Sequence, residues 1–112
     1  MCNSLYIHIP FCVKKCIYCD FYSIGYEKAL AQAYIKTIVK QIKLLDENFY
    51  TIYIGGGTPT SLGAPLLCEL LKALRGVSKK CNEFTIEANP ESLTQEKIKL
   101  LRGSGVNRIS IG

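Results

Sequence analysis

Leu5-Tyr6-Ile7-His8-Ile9-Pro10-Phe11-Cys12-Val13-Lys14-Lys15-Cys16-Ile17-Tyr18-Cys19 is the stretch on which the fold turns, and it carries the densest chemistry in the chain. Residues 5–9 alternate aliphatic with aromatic or polar side chains, the period-two pattern of a strand with two unlike faces. Directly behind this strand, Cys12, Cys16 and Cys19 stand in the spacing C-x3-C-x2-C. Thiolates gathered by one loop, with no obvious fourth, can hold an iron–sulfur cluster and leave one iron open to a small-molecule ligand. Zinc is the competing occupant, because Cys12, Cys16, Cys19 and His8 make a Cys3His ligand set. His8 must be bent toward the loop across Pro10, whereas the loop presents its thiolates unaided, and this favours the cluster.

Outward from the loop, strand-like runs at 5–9, 51–54, 83–88 and 108–111 alternate with helical segments. This is the βαβα order of a parallel sheet covered by helices, an α/β fold of about four strands and three helices. The first helix, over 27–45, places Leu30, Tyr34, Ile38, Ile42 and Leu45 on one face. The second, over 64–75, has Pro65 in its first turn, an apolar stripe of Leu66, Leu67, Leu70, Leu71 and Leu74, and Gly76 as its stop. The third starts at Thr94 as N-cap, with Leu93 and Ile98 at the spacing of a hydrophobic staple, and ends at Gly103. The chain ends directly after the fourth strand. We therefore expect residues 1–112 to be the N-terminal portion of one larger domain, cut before its remaining β/α units, with an exposed sheet edge.

Parity sorts the strands into two faces. Leu5, Ile7, Ile9, Ile52, Ile54, Phe84, Ile86, Ile109 and Ile111 should face the helices. The opposite face carries Tyr6, His8, Thr51, Tyr53, Thr85, Glu87, Arg108 and Ser110, a polar and aromatic set unlike the branched aliphatics that fill a closed barrel. A concave, ligand-holding surface follows, with ligands expected at the C-terminal strand ends. There the second strand runs into Gly55-Gly56-Gly57-Thr58-Pro59-Thr60. Glycines admit a ligand close to the backbone, and strand-end carbonyls can accept hydrogen bonds from an ammonium group. The Gly-Lys-Ser/Thr ending of a phosphate loop is missing, and Thr60 stands where a dinucleotide fingerprint has its third glycine. Glu87, at the end of the third strand, must find a donor or a cation: a ligand bearing hydroxyl or amino groups, or a salt bridge to Arg108.

Composition narrows the classes. No apolar run in the 112 residues reaches transmembrane length, and Met1-Cys2-Asn3-Ser4 does not begin a secretory signal, so a cytoplasmic, reducing location is expected. In such a compartment the six cysteines read as metal ligands or free thiols, and Cys2, Cys68 and Cys81 have no motif spacing. The net charge of +5 is spread over solvated helix faces, with Lys36, Lys40 and Lys43 on one and Lys72, Arg75, Lys79 and Lys80 at the end of another. Nucleic-acid binding is not supported. Lys14 and Lys15, inside the cysteine loop, could offset the charge of a thiolate-bound cluster, meet an acidic electron donor, or simply aid solubility.

In combination, C-x3-C-x2-C after the first strand, Tyr18 just before the third cysteine, and Gly-Gly-Gly-Thr-Pro after the second strand resemble the radical S-adenosylmethionine (radical SAM) superfamily. That resemblance spans essentially the whole chain and implies the N-terminal part of a partial parallel (β/α) barrel. It further implies a [4Fe–4S] cluster on Cys12, Cys16 and Cys19 whose fourth iron is chelated by SAM. Gly56, Gly57 and Thr58 would hold the methionine end of SAM, the backbone near Tyr18 its adenine, and Glu87 a further contact. Tyr6 corresponds to an aromatic position near SAM or a tetrapyrrole. Reduction of the cluster can cleave SAM to a 5′-deoxyadenosyl radical, chemistry that belongs to the cofactors and that the protein positions.

Tyr6-Ile7-His8-Ile9-Pro10-Phe11-Cys12 narrows the resemblance to the group holding the oxygen-independent coproporphyrinogen III oxidases and the HemW haem chaperones. The oxidases carry a fourth cysteine two residues after the third, where this sequence has Phe21, and usually an extension before the first strand. The resemblance therefore implies a haem chaperone that passes haem to haem-dependent membrane enzymes, possessing SAM, a cluster and an electron donor such as reduced flavodoxin. Porphyrinogen oxidation in porphyrin biosynthesis is the alternative.

Overall fold

The structure, a computed structural model, describes residues 3–11 and 21–112. Strand β1 (Ser4–Ile9) is followed by α1 (Phe21–Lys43), β2 (Thr51–Gly56), α2 (Ala64–Leu74), β3 (Glu83–Ala88), α3 (Gln95–Gly103) and β4 (Arg108–Ile111), with 3-10 turns at Pro59–Ser61 and Pro90–Ser92. The strands form one sheet in the order β1-β2-β3-β4, every pairing parallel. Parallel neighbours require a long crossover, and a helix lies in each connection. This is the expected α/β architecture of four strands and three helices. No described helix is long and apolar enough to cross a membrane.

Register aligns the aliphatic face: Ile7 lies opposite Ile54, Ile54 opposite Ile86, and Ile86 opposite Ile109. Ile7, Ile9, Ile52, Ile54, Phe84 and Ile86 are buried against Ile35, Val39 and Ile42 of α1 and Leu67, Leu70, Leu71 and Leu74 of α2. Each such side chain taken out of water contributes about 1.5–3 kcal/mol. Helix α2 reads as expected, with Pro65 in its first turn. In α3, Thr94 is the N-cap, its side chain accepting a hydrogen bond from the Lys97 amide.

Two expectations need correction. Helix α1 begins at Phe21, six residues before the expected start, and runs through Gly25. A central glycine lowers helix propensity by about 1 kcal/mol, and here that preference is overridden. Its buried stripe is Ile35, Val39 and Ile42, while Leu30 and Leu45 are exposed and Tyr34 and Ile38 half-buried. Apolar residues at 31, 35, 38, 39 and 42 satisfy helical spacing as well as the expected set does. Tyr34 is held at the margin, where its hydroxyl donates to the His8 carbonyl and its ring meets Phe11 edge-on with centroids 5.6 Å apart. On β4, Ile109 and Ile111 share the core-facing parity but are 37% and 62% exposed. The helix before this strand, α3, buries fully only Leu101.

The contrast between equal side chains tests this core. Leu70→Ala, at a site with no exposure, should lower unfolding free energy by about 2–5 kcal/mol in urea titrations. Leu44→Ala, at a site 84% exposed, should stay within about 0.5 kcal/mol of the parent.

Candidate functional site

The C-terminal ends of β1, β2 and β3 converge on the glycine run. Pairing between β2 and β3 ends at Ile54 opposite Ile86, so the Gly56 amide lies past the ladder. There it donates to Glu87 Oε1 at 3.0 Å. Toward β1, the Gly57 amide donates to the Ile9 carbonyl at 2.8 Å, and the Thr58 amide donates to the Phe11 carbonyl. The glycine run is thereby bonded to the residue immediately preceding Cys12. Gly56 has φ +117°, and a Cβ there would lie 2.6 Å from the Ile9 carbonyl oxygen. A Cβ on Gly55 would lie 2.8 Å from Tyr53 Cε1 and 3.0 Å from Glu87 Oε1. Glycine is required at Gly56 for β1 and β2 to come this close, whereas at Gly55 an added side chain would displace the Tyr53 and Glu87 side chains.

The polar face assembles as parity predicts. Tyr6, opposite Tyr53 in register, stacks on it with centroids 5.9 Å apart and remains 56% exposed. Tyr6 Oη and His8 Nδ1 are 3.0 Å apart. The Tyr53 hydroxyl donates to Glu87 Oε2 at 2.6 Å. The Glu87 hydrogen bond raises the Tyr53 pKa above its ordinary 10.0, with burial and the Glu87 charge adding to it. Thr85 departs from the rest of this face in being buried, with 1% exposure.

Of the sequence-predicted residues, Gly56, Gly57, Thr58 and Glu87 lie at these strand ends, while Tyr6 lies further back on β1 and reaches Glu87 only through Tyr53. Cys12, Cys16, Tyr18 and Cys19 lie outside the described residues. The alternative of a Glu87–Arg108 salt bridge is not what forms: Arg108 pairs with Glu83 at 2.8 Å. Among the described residues no group of three or more His, Cys, Asp or Glu side chains is placed to hold a metal. Cys68 and Cys81 are free and half-buried, and burial pushes the Cys81 thiol pKa up. Among the described residues at these strand ends, the Glu87 oxygens meet only neutral donors, the Tyr53 hydroxyl and the Gly56 amide.

The sequence reading missed two things. Tyr53 was one polar-face residue among several; it lies opposite Thr85, two residues from Glu87 on the same face, and that diagonal neighbourhood was the available signal. Beneath the site, Thr60 and Ser92 are buried with their hydroxyls 2.6 Å apart, and Lys97 Nζ donates to the Thr60 carbonyl at 2.6 Å and the Ser92 carbonyl at 3.1 Å. Burial lowers the Lys97 pKa, while Glu96 pulls it upward. No sequence spacing announces this cluster.

Compared with known proteins, residues 6–112 match the radical SAM superfamily. The chain is 45% identical over 113 residues to the haem chaperone HemW of Lactococcus lactis subsp. lactis (strain IL1403), covering 98% of this chain and 30% of that protein. It is 46% identical over 121 residues to HemW of Bacillus subtilis (strain 168), covering 98% and 31%. It thus spans about a third of the length of these curated relatives. Among solved structures it resembles the coproporphyrinogen III oxidase HemN from Escherichia coli, a radical SAM enzyme, with TM-score 0.76 and 32% identity over 99% of this chain and 27% of that one. The parallel α/β sheet is thus that of the radical SAM partial barrel.

Two substitutions separate the demands on the glycines. Gly56→Ala meets both the positive φ and the Ile9 backbone, whereas Gly105→Ala, at φ +96° with nothing within 4 Å, meets only the first. Gly105→Ala should cost about 1–2 kcal/mol in denaturant unfolding and Gly56→Ala distinctly more. Tyr53, followed by ring-carbon NMR, should ionise above 10.0 and shift downward in Glu87→Gln. The contact's contribution to stability is complete below the unfolded tyrosine pKa and is lost as pH rises through the higher folded value.

Proposed function

We propose that this chain, which belongs to the radical SAM superfamily, binds a [4Fe–4S] cluster through Cys12, Cys16 and Cys19 and SAM at the adjoining strand ends, and serves as a haem chaperone. The observation that carries the site is the bonding of the glycine run to the strand leading into the cysteines. The Gly57 and Thr58 amides hold the Ile9 and Phe11 carbonyls, and Phe11 is the residue that precedes Cys12 in the sequence. Thiolates at the spacing of Cys12, Cys16 and Cys19 suit a cluster with one open iron. The carbonyls of Gly56, Gly57 and Thr58 and the Glu87 carboxylate would receive the ammonium and hydroxyl groups of SAM, with the backbone near Tyr18 meeting its adenine. When bound, the cluster and SAM supply one-electron chemistry with a reduced donor such as flavodoxin.

The haem role rests on the HemW relatives, on this chain's Phe21 in place of a fourth cysteine, and on the exposed Tyr6 ring on the polar face of the sheet. Haem would be passed to haem-dependent membrane enzymes from the cytoplasm, where the thiols stay reduced. The HemN likeness supports the second reading, oxidation of coproporphyrinogen III.

Anaerobic reconstitution of the complete protein should give iron and sulfide in a [4Fe–4S] ratio, and Cys12→Ala, Cys16→Ala or Cys19→Ala should each abolish the cluster's visible absorption. Stoichiometric zinc without iron or sulfide would overturn the assignment. Tight haem binding without turnover is expected; conversion of coproporphyrinogen to protoporphyrinogen would replace the chaperone reading with the oxidase.

A further inference from the structure

We infer that Lys97 is a positioning residue for the SAM site, fixing the distance between the glycine run and Glu87 by holding the loop after β2 to the loop after β3. The inference rests on the SAM reading above, but its geometry is independent of it. Lys97 reaches back from the first turn of α3 to the carbonyls of Thr60 and Ser92, one from each loop. Thr60 lies two residues beyond Thr58, and Ser92 lies five beyond Glu87.

The hydroxyls beneath the ammonium admit one arrangement of protons. Ser92 Oγ donates to the Asn89 carbonyl at 2.9 Å, which uses its single proton. The 2.6 Å contact between Thr60 Oγ1 and Ser92 Oγ must then be donated by Thr60. Thr60 Oγ1 in turn accepts from the Asn89 amide at 3.4 Å. The result is a closed ring, Asn89 amide to Thr60 hydroxyl to Ser92 hydroxyl to Asn89 carbonyl, with both hydroxyls buried. Lys97 binds the backbone carbonyls of the two hydroxyl residues, so loss of its ammonium leaves two acceptors short of their donor. Sliding one loop past the other would break the ring and both ammonium bonds together. Gly56 and Glu87 lie four and five residues before Thr60 and Ser92 on the same two connections, and the 3.0 Å bond between them spans the strand ends from which those loops leave.

The test uses anaerobically reconstituted complete protein, with Lys97→Met and, as a surface control on the same helix, Lys99→Met. SAM affinity is read by equilibrium dialysis, iron by chemical analysis, and loop opening by amide hydrogen exchange at Gly56 and Asn89. Lys97→Met should weaken SAM binding about tenfold, equivalent to about 1.4 kcal/mol, at unchanged iron content, and speed exchange at both amides; Lys99→Met should match the parent. Lys97→Arg, which keeps donors and charge, should recover part of the affinity, and it serves as the test should Lys97→Met not fold. SAM affinity in Lys97→Met equal to that of Lys99→Met, or iron lost in step with SAM, would overturn the role. If the parent binds no SAM, the proposed function falls, and exchange alone decides the clamp: unchanged rates at Asn89 in Lys97→Met would refute it.

Discussion

Gly56 is the constraint on which the strand ends depend. With φ +117° and no room for a Cβ beside the Ile9 backbone, it turns β2 out of the sheet at its contact with β1. The turn aims successive amides in different directions. The Gly56 amide passes beyond the last β2–β3 pair and takes the Glu87 carboxylate, while the Gly57 and Thr58 amides take the carbonyls of Ile9 and Phe11. One glycine therefore connects three strand ends. A side chain at this position would separate the segment leading to the cysteines from the residues that face it.

The two faces of the sheet divide the work. Isoleucines and Phe84 under the leucines of α2 supply burial, and their energetics ask nothing of the opposite face. That freedom lets the other face stay polar. Its residues satisfy one another across strands, Tyr6 on Tyr53 and Tyr53 on Glu87, and still leave Tyr6 largely open to solvent. A face filled with aliphatics would be more stable and could hold no polar ligand.

Strand periodicity made the sheet legible, because alternation is local and every strand but the last keeps its expected face covered. The N-cap at Thr94 was equally local. The stripe of α1 was not: apolar residues surround more than one face of that helix, and contact with Phe11 and the His8 carbonyl decides which way it turns. At the site, the glycine run and Glu87 could be named from their places at strand ends. Their bonding could not, since it depends on where each ladder stops. The Thr60, Ser92 and Lys97 cluster joins three separate segments by contacts to backbone carbonyls, which carry no residue signature.

The pairing of Arg108 shows how register selects between chemically equal partners. Arg108 lies opposite Thr85, with Glu83 two residues one way along β3 and Glu87 two residues the other. By sequence the two carboxylates are equivalent. Glu83 is the one that forms the ion pair, exposed and at the strand's start, where such a pair contributes at most about 1 kcal/mol. Glu87 is already held by an amide and a phenol, both neutral donors. Among the described residues it has no ion-pair partner. Neutral donors fix a carboxylate's position without supplying an opposite charge, so register, by sending Arg108 to Glu83, leaves Glu87 held in place at the strand ends by hydrogen bonds alone.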